Sequence, residues 1–312
     1  MSQSRRALRA AYHRSRSVAR AARGGGIDFE TMAPADAVDT AYQVMLRRHP
    51  DPSGLQTSMG QLQSGAWSNR DMVDALRASS EFHRYVRFPP RMFGHSLHSS
   101  RCEFMRSLPP GRRILDLGGT ALGNPEGGMV SMGYPYDFES LTIVDLPSED
   151  RHAIYQEDSR SDQVETARGP VRYRYHSMAD LSDYQDGSID LVYSGQSIEH
   201  VTPEEGLHVL QEVHRVLAPG GHLGIDTPNA RVTRLQQDEF VDPDHKVEYR
   251  LEELVGIIEK AGLEVVDCKG ANYSGAGLAA GAWDPEEVAG NTGLYWDAAS
   301  CYLLCLVARK PL

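Results

Sequence analysis

Apolar and polar positions follow two different patterns along this chain. Over about residues 31–87 the apolar side chains recur every three or four positions, which is the spacing of one helix face. The first stripe is Val38, Ala41, Tyr42 and Met45, and a shorter one is Leu55, Met59 and Leu62. A third helix is predicted to begin at Ser68, because Ser68-Asn69-Arg70-Asp71 has the form of a capping box. The pattern predicts a small bundle of three helices.

From about residue 110, short apolar runs alternate with helical stripes. The runs are Arg113–Leu117, Leu141–Asp145, Val171–Tyr175, Leu191–Tyr193, His222–Ile225, Leu263–Val266 and Tyr302–Val307. One intervening helix begins at the capping box Thr202-Pro203-Glu204-Glu205, and another ends at Gly262. Alternation of this kind indicates a mostly parallel sheet covered by helices on both faces.

Composition and charge narrow the class of protein. A chain of 312 residues suits about two domains. No apolar stretch approaches the roughly 18 residues of a transmembrane helix. The net charge of −11 argues against general nucleic-acid binding. The four cysteines form no CxxC pair, so we expect a reduced, cytoplasmic protein in which Cys301 and Cys305 pack in the core.

The charge is distributed unevenly. Residues 1–26 contain seven arginines and no acidic residue, and they end in three glycines. We expect a flexible arm, with weak contact to an anionic membrane surface as the alternative. The predicted organisation is a basic arm over residues 1–30, a helical accessory domain over residues 31–89 and an α/β domain over residues 90–312. A homo-oligomer is left open.

A glycine turn follows the first predicted strand of the α/β domain. Ile114–Leu117 leads into Gly118-Gly119-Thr120, and bare glycines at a strand's carboxyl end let a ligand approach the backbone. The dinucleotide fingerprint G-x-G-x-x-G is broken, because Thr120 takes the place of the middle glycine. Asp116 would oppose a pyrophosphate but suits a ligand with an ammonium and a sulfonium. A positively charged adenosine conjugate is therefore predicted.

The second predicted strand ends in Asp145. An acid at this place can accept two hydrogen bonds from ribose hydroxyls, although a surface carboxylate is the alternative. The spacing from Asp116 to Asp145 is 29 residues, longer than the roughly 20 typical of dinucleotide sites. An insert around residues 124–135 accounts for the difference.

The combined pattern resembles class I S-adenosylmethionine-dependent methyltransferases. The matching segments are Ile114–Gly119, Ile143–Asp145, Asp186–Val192, Ser197–Val201, Arg215–Gly221, Thr227–Asn229 and Ala261–Leu263. The resemblance covers about residues 90–312. It implies a Rossmann-like, seven-stranded methyltransferase sheet of order 3-2-1-4-5-7-6 with a reversed last strand at Tyr302–Val307. It also implies S-adenosyl-L-methionine as the methyl donor.

The same resemblance implies roles for residues near the strand ends. Gly118 would contact the methionine part of the donor, Asp145 the ribose, and Asp116 would orient the amino group. The adenine contact is expected after the third strand, where Ser177 replaces the acid that many members carry. The full set of expected donor-binding residues is Asp116, Gly118, Gly119, Asp145, Leu146, Ser177, Met178, Asp180 and Gln196.

Three residues are candidates for catalysis. Glu199 and His200 follow the fourth strand, where this architecture places its active site, and His245 follows the fifth. His200 is interpreted as a general base, because histidine titrates near neutral pH. Alternatively, Glu199, His200 and His245 hold a divalent metal, or they only hydrogen-bond loops. The metal hypothesis rests on similarity to small-RNA-end 2′-O-methyltransferases, whose ion is held by two glutamates and two histidines; Gln196 stands in place of the first glutamate.

The acceptor is expected to enter between three segments: Phe93–Arg106, residues 230–249 and residues 270–299. The last carries Tyr273, Trp283, Tyr295 and Trp296, which would either stack on a sugar or fill the core.

A second resemblance concerns the helical stretch. It is similar to an uncharacterised bacterial domain that recurs beside sugar-modifying enzymes, on Tyr42, Leu46, Arg48, Asp51, Gly54, Leu62, Gly65, Ser80, Glu81 and Phe82. Together the two resemblances imply an O-methyltransferase that acts on a hydroxyl of a saccharide or related polar small molecule. The alternatives are a metal-assisted 2′-O-methyltransferase on a nucleotide end and a non-catalytic interaction module.

Overall fold

The computed structural model of the protein describes residues 28–46, 48–79, 81–82, 90–121, 124–151 and 163–312. The basic arm over residues 1–26 lies outside the described residues. The chain divides into two units, Met1–Pro90 and Arg91–Leu312, one residue from the predicted boundary. Within the described residues, no helix is both long enough and apolar enough to cross a membrane.

Among its described residues, the first unit has three helices, α1 (Pro34–Leu46), α2 (Pro52–Gln63) and α3 (Asn69–Ala78). The predicted capping box at the start of α3 is confirmed. Buried apolar side chains come from α1 and α3: Ala37, Val38, Ala41, Tyr42, Leu46, Met72, Val73 and Leu76. The predicted stripe on α2 is wrong at its first position, because Leu55 is 40% exposed. Only Met59 and Leu62, towards the end of α2, pack against this core.

Several residues behind the second resemblance pack and pair within this bundle. Arg48 Nε donates to Glu81 Oε1 at 2.8 Å, and its Nη1 lies 3.0 Å from Asp51 Oδ2. The same guanidinium lies 5.2 Å from the ring centroid of Tyr42. A Cβ on Gly54 would come within 2.5 Å of the Tyr42 hydroxyl, so this close approach requires glycine. These four contacts give Tyr42, Arg48, Asp51, Gly54 and Glu81 structural roles within the bundle.

The second unit is built on one mixed sheet. Its strands are β1 (Arg113–Leu117), β2 (Ser140–Asp145), β3 (Gln163–Thr166), β4 (Gly169–Tyr175), β5 (Ile189–Gly195), β6 (Leu217–Pro228), β7 (Glu264–Tyr273), β8 (Leu294–Tyr295) and β9 (Cys301–Arg309). The order is β3-β4-β2-β1-β5-β6-β9-β7-β8. The expected seven-strand order and the reversed β9 are confirmed. The strand count is corrected from seven to nine within the described residues, because two short antiparallel strands, β3 and β8, extend the edges.

Each face of the sheet carries its own apolar core. Along β9, Leu304, Leu306 and Ala308 belong to one cluster, whereas Leu303, Cys305 and Val307 belong to the other. Successive side chains of a strand point to opposite faces, so the two clusters lie on opposite sides. Helices α6 (Pro203–Val216) and α8 (Leu251–Lys260) cover the first face, and α4 (Pro90–Ser107) and α5 (Gly127–Ser131) cover the second. The predicted helix-covered sheet is confirmed.

The glycine-rich stretch before β9 is ordered into short elements. Strand β7 extends to Tyr273, and α9 (Gly275–Ala280) and α10 (Pro285–Gly290) follow; α7 (Ala230–Gln236) lies earlier, after β6. Cys301 and Cys305 are buried free thiols, which confirms core packing for both.

Candidate active site

A cavity of about 870 Å³ opens at the carboxyl ends of the central parallel strands. Ligands of open α/β sheets bind in this crevice, and the volume lies in the range of small-molecule sites. The sequence-predicted residues on its wall are Gly118, Asp145, Leu146, Met178, Gln196, Glu199, His200 and His245. The site residues expected from sequence therefore mostly converge on one cavity.

The turn after β1 brings bare backbone to the cavity wall. Gly118 has φ +78°, in the region that favours glycine. A Cβ on Gly118 would lie 2.7 Å from the Cβ of Ser197. The Gly118 amide donates to the Val144 carbonyl at 2.7 Å, which ties the turn to β2. A side chain at this position would therefore both strain the backbone and clash.

Asp116 lies beneath this turn and is absent from the cavity wall. Its side chain is buried, and Oδ2 accepts from the Met129 amide at 3.3 Å, while Oδ1 has no partner among the described residues. Burial raises the pKa of Asp116 to about 7. A Cβ on Gly119 would collide with this carboxylate, so Gly119 is required by packing. The geometry favours support of the turn over the expected direct contact with a donor ammonium.

Asp145 stands at the end of β2 and faces the cavity. Its Oδ1 accepts from the Leu146 amide at 2.8 Å, and its Oδ2 lies 3.5 Å from Arg151 Nη2. Arg151 Nε also donates to the Leu146 carbonyl at 2.7 Å. The carboxylate is thus held at the wall by a neighbouring cation.

Of the three predicted donor-binding residues that follow β4, one lines the cavity and two do not. Met178 lines the cavity, whereas Ser177 and Asp180 are exposed and absent from its wall. Ser177 Oγ accepts from the Ala179 amide at 3.2 Å, and Asp180 Oδ1 accepts from the Ser182 amide at 3.1 Å. Both polar side chains therefore stabilise their own turn.

A buried charged network lies beside the cavity, and sequence reasoning missed its centre, Asp226. Arg101 Nε donates to Asp226 Oδ1 at 2.7 Å, and the Tyr193 hydroxyl donates to Asp226 Oδ2. Gln196 Nε2 donates to Oδ1 at 2.8 Å, and Gln196 has φ +57°. Asp226 is wholly buried, while Arg101 and Gln196 reach the cavity wall. Gln196 is therefore directed at Asp226.

Glu199, His200 and His245 meet at the other end of the wall. One potential ligand atom from each lies within 4.8 Å of the others. The two imidazole centroids are 4.9 Å apart, with planes at 82°. Glu199 is fully buried; Oε2 accepts from Thr227 Oγ1 at 2.9 Å, and Oε1 has no partner among the described residues. One carboxylate oxygen and two imidazoles form a ligand set that suits several divalent transition metals.

The cluster has perturbed protonation. Burial raises the pKa of Glu199 to about 7. Burial and the neighbouring His245 lower the pKa of His200. Burial alone would lower the pKa of His245, but its hydrogen bond to Glu248 and the nearby Glu199 raise it overall. Near neutral pH, one cleft therefore holds a neutral base beside a more basic histidine, as active sites commonly do.

The aromatic residues of the last segment have different surroundings. Trp283 packs edge-on against Phe93 at 5.8 Å and, with tilted rings, against Tyr302 at 5.5 Å, so it fills the core behind the cavity. Phe93 and Tyr302 themselves line the cavity. Trp296 is 79% exposed and absent from the wall.

Part of the second unit is similar to a known family. Residues 127–225 match the family described as Methyltransferase domain. The match covers 99 of the 312 residues. The matched segment runs from α5 into β6, and the sheet has the Rossmann-like methyltransferase fold. Residues 29–86 match a domain of unknown function, DUF4214, which assigns no activity to the helical unit.

Individual proteins of known name are similar to parts of this chain. The chain is 38% identical over 114 residues to a Mycolicibacterium smegmatis protein named "probable S-adenosylmethionine-dependent methyltransferase", covering 36% of this chain and 43% of the relative. It is 30% identical over 137 residues to a ubiquinone biosynthesis O-methyltransferase of Xanthomonas campestris, covering 43% and 52%. The crystal structure of a SAM-dependent methyltransferase from Thermotoga maritima covers 73% of this chain and 98% of that chain at 18% identity and a TM-score of 0.49. The chain spans about half the length of the curated relatives it matches. The family match and the two named sequence relatives support the prediction of an enzyme.

Proposed function

We propose that this chain is an S-adenosylmethionine-dependent O-methyltransferase acting on a hydroxyl of a saccharide or related polar metabolite. One observation carries the proposal: a single cavity joins the Gly118 turn and Asp145 to the cluster of Glu199, His200 and His245. A methyl donor and a hydroxyl acceptor can therefore meet in one cavity. The methyltransferase-domain match and the relatives named as O-methyltransferases support this reaction type.

The strand ends fit an adenosyl donor. Gly118 leaves room for a ligand against the backbone, and the Asp145 carboxylate can accept hydrogen bonds from ribose hydroxyls. Met178 and Leu146 give apolar wall beside Asp145, where an adenine would lie. Ser177 and Asp180 are not used in this arrangement.

Arg101 is the cation that would pair with the donor's carboxylate. It reaches the cavity wall with a side chain 20% exposed, and Asp226 holds its position from behind. Burial would lower the pKa of Arg101, but Asp226 raises it overall, so the guanidinium stays charged. Gln196, fixed on the same carboxylate, would line the methionine end.

The cluster supplies proton transfer. When bound, S-adenosylmethionine supplies a methyl group already activated by its sulfonium. Transfer forms an O–C bond while the C–S bond breaks, and its electron pair stays on sulfur as a neutral thioether. The acceptor's proton moves to a ring nitrogen of His200, which is neutral near pH 7 because of its lowered pKa. The ionised fraction of Glu199 stabilises the imidazolium that results.

The acceptor class is tested by transfer of a labelled methyl group to saccharides, nucleotides and phenols. We expect labelled saccharide, and a kcat reduced about 10²- to 10⁴-fold in His200→Ala. His208→Ala, an exposed histidine on α6, is the matched control and should retain activity. Labelling of nucleotide ends alone would contradict the saccharide assignment. Donor binding with no transfer to any acceptor would favour an interaction module.

The second candidate function is a metal-assisted 2′-O-methyltransferase on a nucleotide end. Two observations favour it. Potential ligand atoms of Glu199, His200 and His245 lie within 4.8 Å of one another, and Oε1 of Glu199 is buried with no partner among the described residues. The residues fit a three-ligand site, whereas Gln196 points to Asp226 and adds no fourth ligand. A bound ion would lower the pKa of an acceptor hydroxyl. Glu199, His200 and His245 would hold the ion.

Chelation separates the two candidates. If an ion is required, a chelator should abolish transfer, His200→Ala and His245→Ala should be equally impaired, and Mn²⁺ titrated into the chelated protein should bind with one-to-one stoichiometry. If His200 acts as a base, activity should survive chelation. His200→Ala should then lose mainly turnover, while His245→Ala should be affected less.

A further inference from the structure

The segment between α7 and α8 forms a closed loop over the cavity. Glu248 closes it: Oε1 accepts from the Val241 amide at 2.7 Å, and Oε2 accepts from Thr233 Oγ1 at 2.5 Å. Within the loop, Asp242 Oδ1 accepts from the Asp244 amide at 2.9 Å. The fully buried Glu248 thus fixes the path of residues 241–248 from both ends.

This loop is also joined to Glu199. The Lys246 and Val247 amides both donate to the Glu199 carbonyl, at 2.8 and 3.2 Å. The turn that carries Glu199 and His200 and the loop that carries His245 are therefore held at a fixed separation. A displacement of either would break two backbone hydrogen bonds.

Each histidine of the cluster then faces its own carboxylate from this loop. His200 Nδ1 lies 3.2 Å from Asp244 Oδ2, and His245 Nδ1 lies 2.9 Å from Glu248 Oε1. An ionised carboxylate only accepts hydrogen bonds, so the nitrogen facing it must carry the proton. In the neutral ring, the lone pair then belongs to Nε2. The hydrogen bond made by one ring nitrogen sets what the other can do.

We propose that Asp244 and Glu248 are positioning residues that fix both histidines with Nδ1 protonated and present Nε2 to the cavity. This deepens the proposed function, on which it rests, because a proton acceptor and a metal ligand both need that lone pair. Both carboxylate oxygens of Glu248 accept hydrogen bonds that hold the loop. Asp244, in contrast, is 25% exposed, and its other oxygen lies 3.5 Å from Lys246 Nζ. Asp244 is therefore the member whose orienting role can be removed with least damage to the fold.

Nitrogen-15 NMR of the full chain at pH 8 shows which ring nitrogen of His200 carries the proton. The His200 signal is assigned by its loss in His200→Ala. We expect the Nδ1-protonated form in the wild type and in Asp244→Asn, whose amide oxygen can still accept. Asp244→Ala should give the Nε2-protonated form or a mixture. Asp238 is an exposed acid of the preceding segment, and Asp238→Ala is the control. It should leave the proton of the His200 ring on Nδ1. An Nε2-protonated wild type, or an unchanged ring in Asp244→Ala, would overturn the proposal.

Kinetics give a second readout. Asp244→Ala should lower kcat by about 10- to 100-fold, and Asp244→Asn should recover most of the loss. The KM for the donor should change less than about twofold, since the donor-side residues are untouched. Equal losses in both variants would contradict an orienting role. If the wild type transfers no methyl group, the proposed function fails, but the NMR result still decides whether Asp244 orients His200.

Discussion

Replacing Asp116 with asparagine should stabilise the second unit, and the gain should grow with pH. The folded state holds the Asp116 proton more tightly than the unfolded chain, because burial raises its pKa from 3.8 to about 7. The stability that comes from this proton is full below pH 3.8 and is lost as the pH rises through about 7. At about 1.4 kcal/mol per pKa unit, ionisation of Asp116 lowers the free energy of unfolding by about 4 kcal/mol at pH 8 and by about 2 kcal/mol at pH 5. A neutral amide avoids that cost and can still accept from the Met129 amide.

The measurement is urea unfolding at pH 5 and pH 8, followed by tryptophan fluorescence. Trp67 lies in the helical unit, so a Trp67→Phe background lets Trp283 and Trp296 report on the sheet unit alone. Asp238→Asn, an exposed control, should change stability by less than about 0.5 kcal/mol at either pH. A gain that does not increase from pH 5 to pH 8, or a variant less stable than the wild type at pH 8, would refute the burial argument.

Three further substitutions test other parts of the structure. Arg101→Met should lower the free energy of unfolding by about 3–5 kcal/mol in urea titrations, because it leaves Asp226 buried without its cation; a neutral effect would count against the network. Gly118→Ala should lower stability by more than about 1 kcal/mol and weaken donor binding in calorimetry, since its φ of +78° and Ser197 both oppose a Cβ. Thr202→Ala should lower the melting temperature by a few degrees, as expected for loss of about 1 kcal/mol of helix capping; an unchanged melting temperature would argue against the cap.

The predictable features of the fold depend on short-range patterns. The capping boxes at Ser68 and Thr202 and the glycine turn at Gly118 are local, and the structure has all three. The edge strands β3 and β8 escaped prediction, because one alternates exposed and half-buried residues and the other has only two residues. Neither forms an apolar run.

The unpredictable features of the site depend on partners distant in sequence. Arg101 and Asp226 are separated by 125 positions, so no motif links them. Asp116 and Ser177 were both predicted to contact the donor. Asp116 is instead buried beneath the glycine turn, and Ser177 is exposed outside the cavity. The pairing of His245 with Glu248, three residues later, is a contact whose short spacing could have indicated it beforehand.

Calorimetric titration with S-adenosylhomocysteine, the demethylated donor, tests most directly whether the cavity is an adenosyl-donor site. Wild-type protein should bind one equivalent, and Asp145→Ala should bind at least about tenfold more weakly, as expected for loss of a charged hydrogen-bond acceptor. NAD should give no heat of binding. Absence of binding to the wild type, equal affinity in Asp145→Ala, or saturation by NAD in place of the thioether would contradict the account.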